Sequence, residues 1–217
     1  NGSLTLNTNG SFDYTPNTGF TGVDSFTYKA SDGVAASNVA TVSLTVNSDL
    51  PPVLLYFSLT NSATLSGISS SVQDEDIIAY DGVDFAMVFD GSDVGLSNLD
   101  INAFSILDDG SILMSFTSSS SLIGSLGSVD DSDIVRFEPT STGDNTAGTF
   151  TWYLDGSDVG LSSNGEDIDA LERLSDGTLL ISTTGRISVT GASGSDEDLT
   201  AFSPSQLGTT TAGSWAT

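Results

Sequence analysis

The sequence predicts an all-β protein: a small antiparallel β-sandwich over residues 1–48, a linker at 49–52, and a domain of repeated β-meanders over 53–217. Three observations predict it. Apolar residues alternate with polar ones in short runs, which is the pattern of half-buried strands. Gly, Asn, Asp and Pro punctuate those runs at the spacing of turns. One acidic pattern recurs along the second part of the chain.

In the first module, Leu4 and Leu6, Phe12 and Tyr14, Phe26 and Tyr28, then Val42, Leu44 and Val46 carry the period-two alternation. "NTNG", "PNTGFTG" and "SDG" lie between them and supply Gly and Asn for positive φ and Pro for a fixed one. "DLPP" then stiffens the exit and forbids helix.

"GSFDYTPNTGFTGVDSFTYKASDG" followed by "ATVSLTV" resembles the tandem cadherin-like or immunoglobulin-like modules of large bacterial surface and secreted proteins. The resemblance implies a spacer or adhesive module, often stiffened by calcium at its joints. The positions that match are Asp24, Asp32 and Asp49. Turn capping is the simpler role for Asp24 and Asp32. By the same resemblance "NGSLTL" lies within a second strand, so an upstream first strand is expected outside this sequence.

The second region repeats itself. "DEDIIAY" at Asp74, "DSDIVRF" at Asp131 and "DEDLTAF" at Asp196 share one pattern. "DGSDVGL" occurs at Asp90 and at Asp155, and "TAGTFTW" from Thr146 matches "TAGSWAT" from Thr211. "LLYFS", "ILMSF" and "LLIST" fall in the same register. Asp109-Gly110 and Asp176-Gly177 carry the type I′ hairpin signal. Each unit is therefore a meander of about four strands, and such units must cover one another to bury both faces. Phe150, Trp152 and Leu154 share one strand face, as do Ile112, Met114 and Phe116. Tyr80, Phe137 and Phe202 are expected in the core.

"DIDALERLSDGTLLIST" resembles the hairpins of β-propeller blades, and the unit resembles repeats of uncharacterised secreted bacterial proteins. A propeller-like β-repeat domain of about three units, incomplete at its C-terminus, is the expected architecture, with a second β-sandwich or barrel as the alternative. Either the last strand closes onto the "VLLYFS" strand or further units follow.

Charge narrows the chemistry. Asp and Glu number 29 against Lys29, Arg136, Arg173 and Arg186, a formal net charge of −25. A field of that sign repels nucleic acid and anionic membranes, and no basic patch is present to track phosphates. Without His or Cys, the chain has no Ser-His-Asp or Cys-His catalysis, no thiolate metal site and no disulfide. No run of about 18 apolar residues is present to cross a membrane as a helix.

Hard-cation binding is the chemistry that these residues favour. In "DGSDVGL", Asp90 with Asp93 and Asp155 with Asp158 place two carboxylates around a tight glycine turn. In the D-x-D pairs, Asp74 with Asp76, Asp131 with Asp133 and Asp196 with Asp198 would share a strand face, where a calcium ion would relieve their repulsion. The competing role is that Asp and Gly satisfy the backbone of the turns. A carboxylate pair of Glu138, Glu166 or Glu172 with a neighbouring Asp is the remaining route to catalysis. Repetition of most acids unit by unit argues against an enzyme, because a catalytic pair needs two unlike environments.

The expected function is a non-enzymatic extracellular structural or adhesive protein with calcium-stabilised β-repeats, forming surface filaments or a matrix with copies of itself or with other surface proteins. The alternative is a carbohydrate-binding, lectin-like module of a secreted multidomain protein. Trp152 and Trp215, expected within buried strands, weaken the glycan reading.

Overall fold

The computed structural model of the chain describes residues 1–7, 9–17, 20, 22–46, 54–117, 121–163 and 165–216. The linker 49–52, including Asp49, lies outside the described residues. The chain divides into two compact units, Asn1–Val53 and Leu54–Thr217. It is all-β: among the described residues the only helical turns are single 3-10 turns at Ser92–Val94 and Ser157–Val159. No helix of the described residues is long and apolar enough to cross a membrane.

The first unit is built of two antiparallel ladders. Strand β1 (Gly2–Leu6) pairs with β2 (Phe12–Pro16), and β3 (Gly22–Tyr28) pairs with β4 (Ala40–Val46). The rings of Phe12 and Phe26 meet edge to face at 4.9 Å and tie the ladders together. Beside them Tyr14 donates to Asp24 Oδ2 at 2.6 Å. β4 alternates half-buried and exposed positions as its sequence requires, whereas every position of β1 is exposed. Two strands per layer remove little apolar surface from water, so the alternation of Leu4 and Leu6 does not produce a buried face here.

The second unit contains three successive meander sheets. Strands β5 (Leu55–Phe57), β6 (Ile77–Tyr80) and β7 (Phe85–Phe89) form the first. The second takes β8 (Ile101–Ile106) and β9 (Ile112–Phe116), then, after the small hairpin β10 (Ser121–Leu122) and β11 (Ser128–Val129), β12 (Ile134–Ser141) and β13 (Ala147–Leu154). The third repeats this plan with β14 (Ile168–Arg173), β15 (Leu179–Thr183), the hairpin β16 (Ile187–Val189) and β17 (Ala192–Gly194), β18 (Thr200–Gln206) and β19 (Ala212–Ala216). No sheet of the described residues closes into a barrel, and β19 pairs with β18 rather than with β5. The closure of the last strand onto "VLLYFS" is therefore not the one adopted.

Cores form between successive sheets. Ile112, Met114 and Phe116 of β9 pack with Ile77, Phe89 and Leu96 that precede them. Leu113, on the opposite face of the same strand, packs with Ile168, Leu179, Ile181 and Phe202 that follow. β9 is thus buried on both faces instead of one. Phe89, Phe137 and Phe202 are fully buried, each contributing about 2–3 kcal/mol by removal from water. Tyr80 is only half-buried and stacks on Phe85 at 4.6 Å. Trp215 is buried, while Trp152 is half-buried.

The first strands of the second and third sheets lie side by side: Asn102 Nδ2 donates to the Ile168 carbonyl at 2.8 Å, and the Arg173 N–H donates to Ser105 Oγ at 3.3 Å. Their hairpins differ from the expected two-residue type I′ turn. Leu107 N–H donates to the Ser111 carbonyl and Gly110 N–H to the Leu107 carbonyl, both at 2.8 Å, so the loop holds three residues with Gly110 at φ 81°. Leu174, Gly177 and Thr178 repeat this arrangement. Asp109 and Asp176 select the three-residue form because each Oδ1 accepts the N–H two residues on.

Candidate functional site

The acidic repeats converge on one device, built twice in full. Its first part is the D-x-D turn. Asp74 and Asp76 do not share a strand face as expected; they sit in a turn before β6, and the pairs of Asp131 and Asp133 and of Asp196 and Asp198 do the same before β12 and β18. The second aspartate folds back on that turn. Asp76 Oδ2 accepts the Gln73 N–H at 2.8 Å, Asp133 Oδ2 the Asp130 N–H at 2.8 Å, and Asp198 Oδ2 the Ser195 N–H at 2.8 Å.

The second part is the DGSDVGL turn, which docks on the D-x-D turn through its glycine. Gly91 N–H donates to Asp76 Oδ1 at 3.0 Å and Gly156 N–H to Asp133 Oδ1 at 2.9 Å. Both glycines have ordinary right-handed φ values, −69° and −64°, so conformational freedom is not why they are glycine. Space is the reason. A Cβ on Gly156 would lie within contact distance of the Ser132 carbonyl, and one on Gly91 would strike Glu75.

The third part is a clasp between successive sheets. The Asp90 N–H donates to Thr146 Oγ1 at 2.9 Å, Thr146 Oγ1 donates to the Gly143 carbonyl at 2.8 Å, and the Thr146 N–H donates to Asp93 Oδ2 at 2.8 Å. One unit later Asp155, Thr211, Gly208 and Asp158 reproduce it at 2.9, 3.0 and 2.8 Å. The glycine of each T-A-G lets a phenylalanine ring pass: a Cβ on Gly148 would meet Phe137, and one on Gly213 would meet Phe202.

Thr146, Thr211, Gly148 and Gly213 were the functional positions that strand reading missed. The T-A-G repeat was their signal, but it reads as the start of a strand until its partners are known.

Burial controls the ionisation of this device. Burial pushes Asp133 up to about 6 against the pull of the Asp130 and Gly156 N–H groups, and it raises Asp76 for the same reason. Burial also takes Glu75 to about 7, with Asp74 and Asp76 adding to the rise. Asp131 is raised by burial and then by Asp167. In the third turn, Asp196 is lowered by a hydrogen bond with Glu197.

The hydrogen-bonded turn carboxylates shift the other way: Asp32, Asp81 and Asp176 are held low by backbone N–H donors, and Asp109 by Ser111. Acids raised in the folded state stabilise it fully below their unfolded values and lose that contribution as pH rises through the folded ones. Stability should therefore increase by about 2 kcal/mol as pH falls from 8 to about 5, then decrease as the lowered carboxylates protonate. Urea unfolding across that range checks this, and a monotonic loss on acidification would contradict it.

The arrangement does not gather the repeated acids into a cation cage. Among the described residues there is no group of three or more Asp or Glu side chains placed to hold a metal ion. Asp76 and Asp133 each spend both carboxylate oxygens on backbone N–H groups. Asp90 Oδ1 accepts Ser92 N–H and Oγ–H, and Asp155 Oδ1 accepts Ser157 Oγ–H. In the first unit Asp32 Oδ1 caps Val34 and Ala35, while Asp24 Oδ1 accepts the Ser25 N–H and its Oδ2 accepts from Tyr14. These residues fit backbone satisfaction better than hard-cation coordination.

The glutamates are likewise tied to separate partners. Glu166 is buried, and burial would raise it, but the N–H groups of Ser162, Ser163 and Ser188 outweigh that and hold it low. Glu172 Oε2 accepts from Ser105 Oγ at 3.2 Å, and Glu138 lies 3.7 Å from Arg136.

Residues 1–48 match the bacterial cadherin-like domain family. No curated protein and no solved structure matches the chain.

Proposed function

We propose that the chain is a non-enzymatic extracellular structural or adhesive protein, in which a cadherin-like unit precedes β-repeats designed to transmit shape from one sheet to the next. One observation carries the reading: the acids that recur along the sequence recur as hydrogen bonds between sheets. Asp93 and Asp158 each bind a threonine N–H 53 residues away. A catalytic acid pair needs asymmetric environments, and repetition supplies equal ones. Residues 1–48 support a place outside the cell, since cadherin-like domains of this kind suggest adhesive or structural roles at surfaces. A propeller-like disposition of further units, and assembly into filaments or a matrix with copies of itself or with other surface proteins, are the finer parts of the proposal.

Calcium takes its support from the N-terminal family and from the net charge of −25, not from the geometry of the repeats. With the oxygens of Asp76 and Asp133 engaged, millimolar calcium after EDTA should move the unfolding midpoint of the repeat unit by less than about 2 °C, under ~1 kcal/mol. Differential scanning calorimetry with sedimentation velocity checks both stability and assembly. A rise of ten degrees that Asp90→Asn and Asp155→Asn remove would overturn this reading and make the acidic turns metal sites.

A second reading has one observation in its favour. An open cleft of about 590 Å³ beside β8 and β14 is lined by Tyr56, Asn102, Phe104, Asp169 and Glu172 among others, an aromatic and acceptor mixture suited to a sugar. A glycan array probed with the purified chain distinguishes the readings. Saturable binding lost in Tyr56→Ala would replace the structural role with carbohydrate recognition.

A further inference from the structure

The three D-x-D turns have the same internal hydrogen bond but not the same surroundings. In the first, Glu75 and Asp76 are buried and Ile77 is wholly inaccessible; in the second, Ser132 and Asp133 are buried and Ile134 is wholly inaccessible. Each of these turns is covered by the DGSDVGL turn that follows, through Gly91 or Gly156 and through Leu96 or Leu161 in the adjoining core. In the third, Asp196, Glu197 and Asp198 are exposed and Leu199, the counterpart of Ile77 and Ile134, is 60% exposed. Asp198 Oδ2 holds Ser195, and among the described residues Asp198 Oδ1 accepts no hydrogen bond.

We infer that the turn Asp196–Leu199 is a docking site for a D-G-S-D-V-G-L turn of a further repeat unit. Its glycine N–H would bind Asp198 Oδ1 and its leucine side would cover Leu199, as the two covered turns already display. The occupant follows from those two interfaces: the same D-x-D backbone, the same free carboxylate oxygen position and the same branched residue next to it. A charged side chain in place of the glycine could not make that approach, because at Gly91 and Gly156 a Cβ already collides with the turn beneath. A second copy is a poorer occupant, since its own DGSDVGL turns are engaged on Asp76 and Asp133.

The test lengthens the chain with Tyr-Leu-Asp-Gly-Ser-Asp-Val-Gly-Leu-Ser-Ser, the sequence of residues 153–163, placed after Thr217 so that the spacing from T-A-G is kept. The extended protein should melt roughly 4–8 °C above the parent. The rise should vanish when the glycine of the added D-G is valine, and when Asp198→Ala and Leu199→Ser are introduced, the last two compared with the same changes in the unextended chain. A rise that survives these changes, or no rise at all, overturns the proposal. So does a concentration-dependent dimer of the unextended chain that Leu199→Ser abolishes, because a second copy would then be the occupant.

Discussion

Replacing Asp133 by alanine should lower the unfolding free energy by about 3 kcal/mol, because it strands two N–H groups, those of Asp130 and Gly156, beneath the second core. The side chain is only 5% exposed, so water cannot take over either bond. Asp198→Ala removes the same local bond to Ser195 in an exposed turn and should cost under ~1 kcal/mol. Urea denaturation of the two variants beside the parent measures the contrast. Equal losses would mean that the local turn, and not the docked glycine, carries the energy. The two variants should also differ in pH response: Asp133→Ala should reduce the gain in stability between pH 8 and 5, since burial pushes Asp133 up to about 6, and should leave the share that Glu75 and Asp76 contribute.

Gly156→Ala should be at least as damaging, at about 3–4 kcal/mol, although alanine is ordinarily favoured at its φ of −64° and ψ of −34°. The added methyl would press on the Ser132 carbonyl carbon at 2.9 Å and still more closely on its oxygen, and a backbone group cannot swing aside. Relief requires lifting the DGSDVGL turn from Asp133, which breaks the Gly156 bond and loosens Leu161 from the core. Gly160, at the end of the same turn with φ 95°, is glycine for the opposite reason, and Gly160→Ala should cost about 1 kcal/mol through backbone strain. Thermal unfolding of both alanine variants separates a spatial requirement from a conformational one. A milder effect at Gly156 than at Gly160 would contradict the docking geometry.

Much of the fold was legible because its signals are local. Leu55–Phe57, Ile112–Phe116 and Leu179–Thr183 are equivalent strands, as their shared apolar runs indicate. What alternation did not reveal is that Leu113 faces a second core, since a strand between two layers is buried at every position. The DG hairpins were legible as hairpins but not in their loop length, which depends on whether Asp109 Oδ1 reaches Ser111.

The candidate site was legible as a set of residues and not as a mechanism. Asp74, Asp76, Asp131 and Asp133 were marked by recurrence, and two acids in close sequence suggest a cation when nothing else is seen nearby. The structure brings N–H donors to Asp76 and Asp133, while Asp74 lies beside Asp100 and Asp131 beside Asp167.

The sequence by itself determined the all-β class, the repeat and the exclusion of thiolate, histidine and phosphate-binding chemistry, because these rest on composition and on contacts between near neighbours. Only the tertiary structure decided what the carboxylates bind. The partners of Asp93 and Asp158 lie 53 residues away, and the glycine that docks on Asp133 lies 23 residues on. No periodicity of the chain records such contacts, which arise when one sheet is laid against the next.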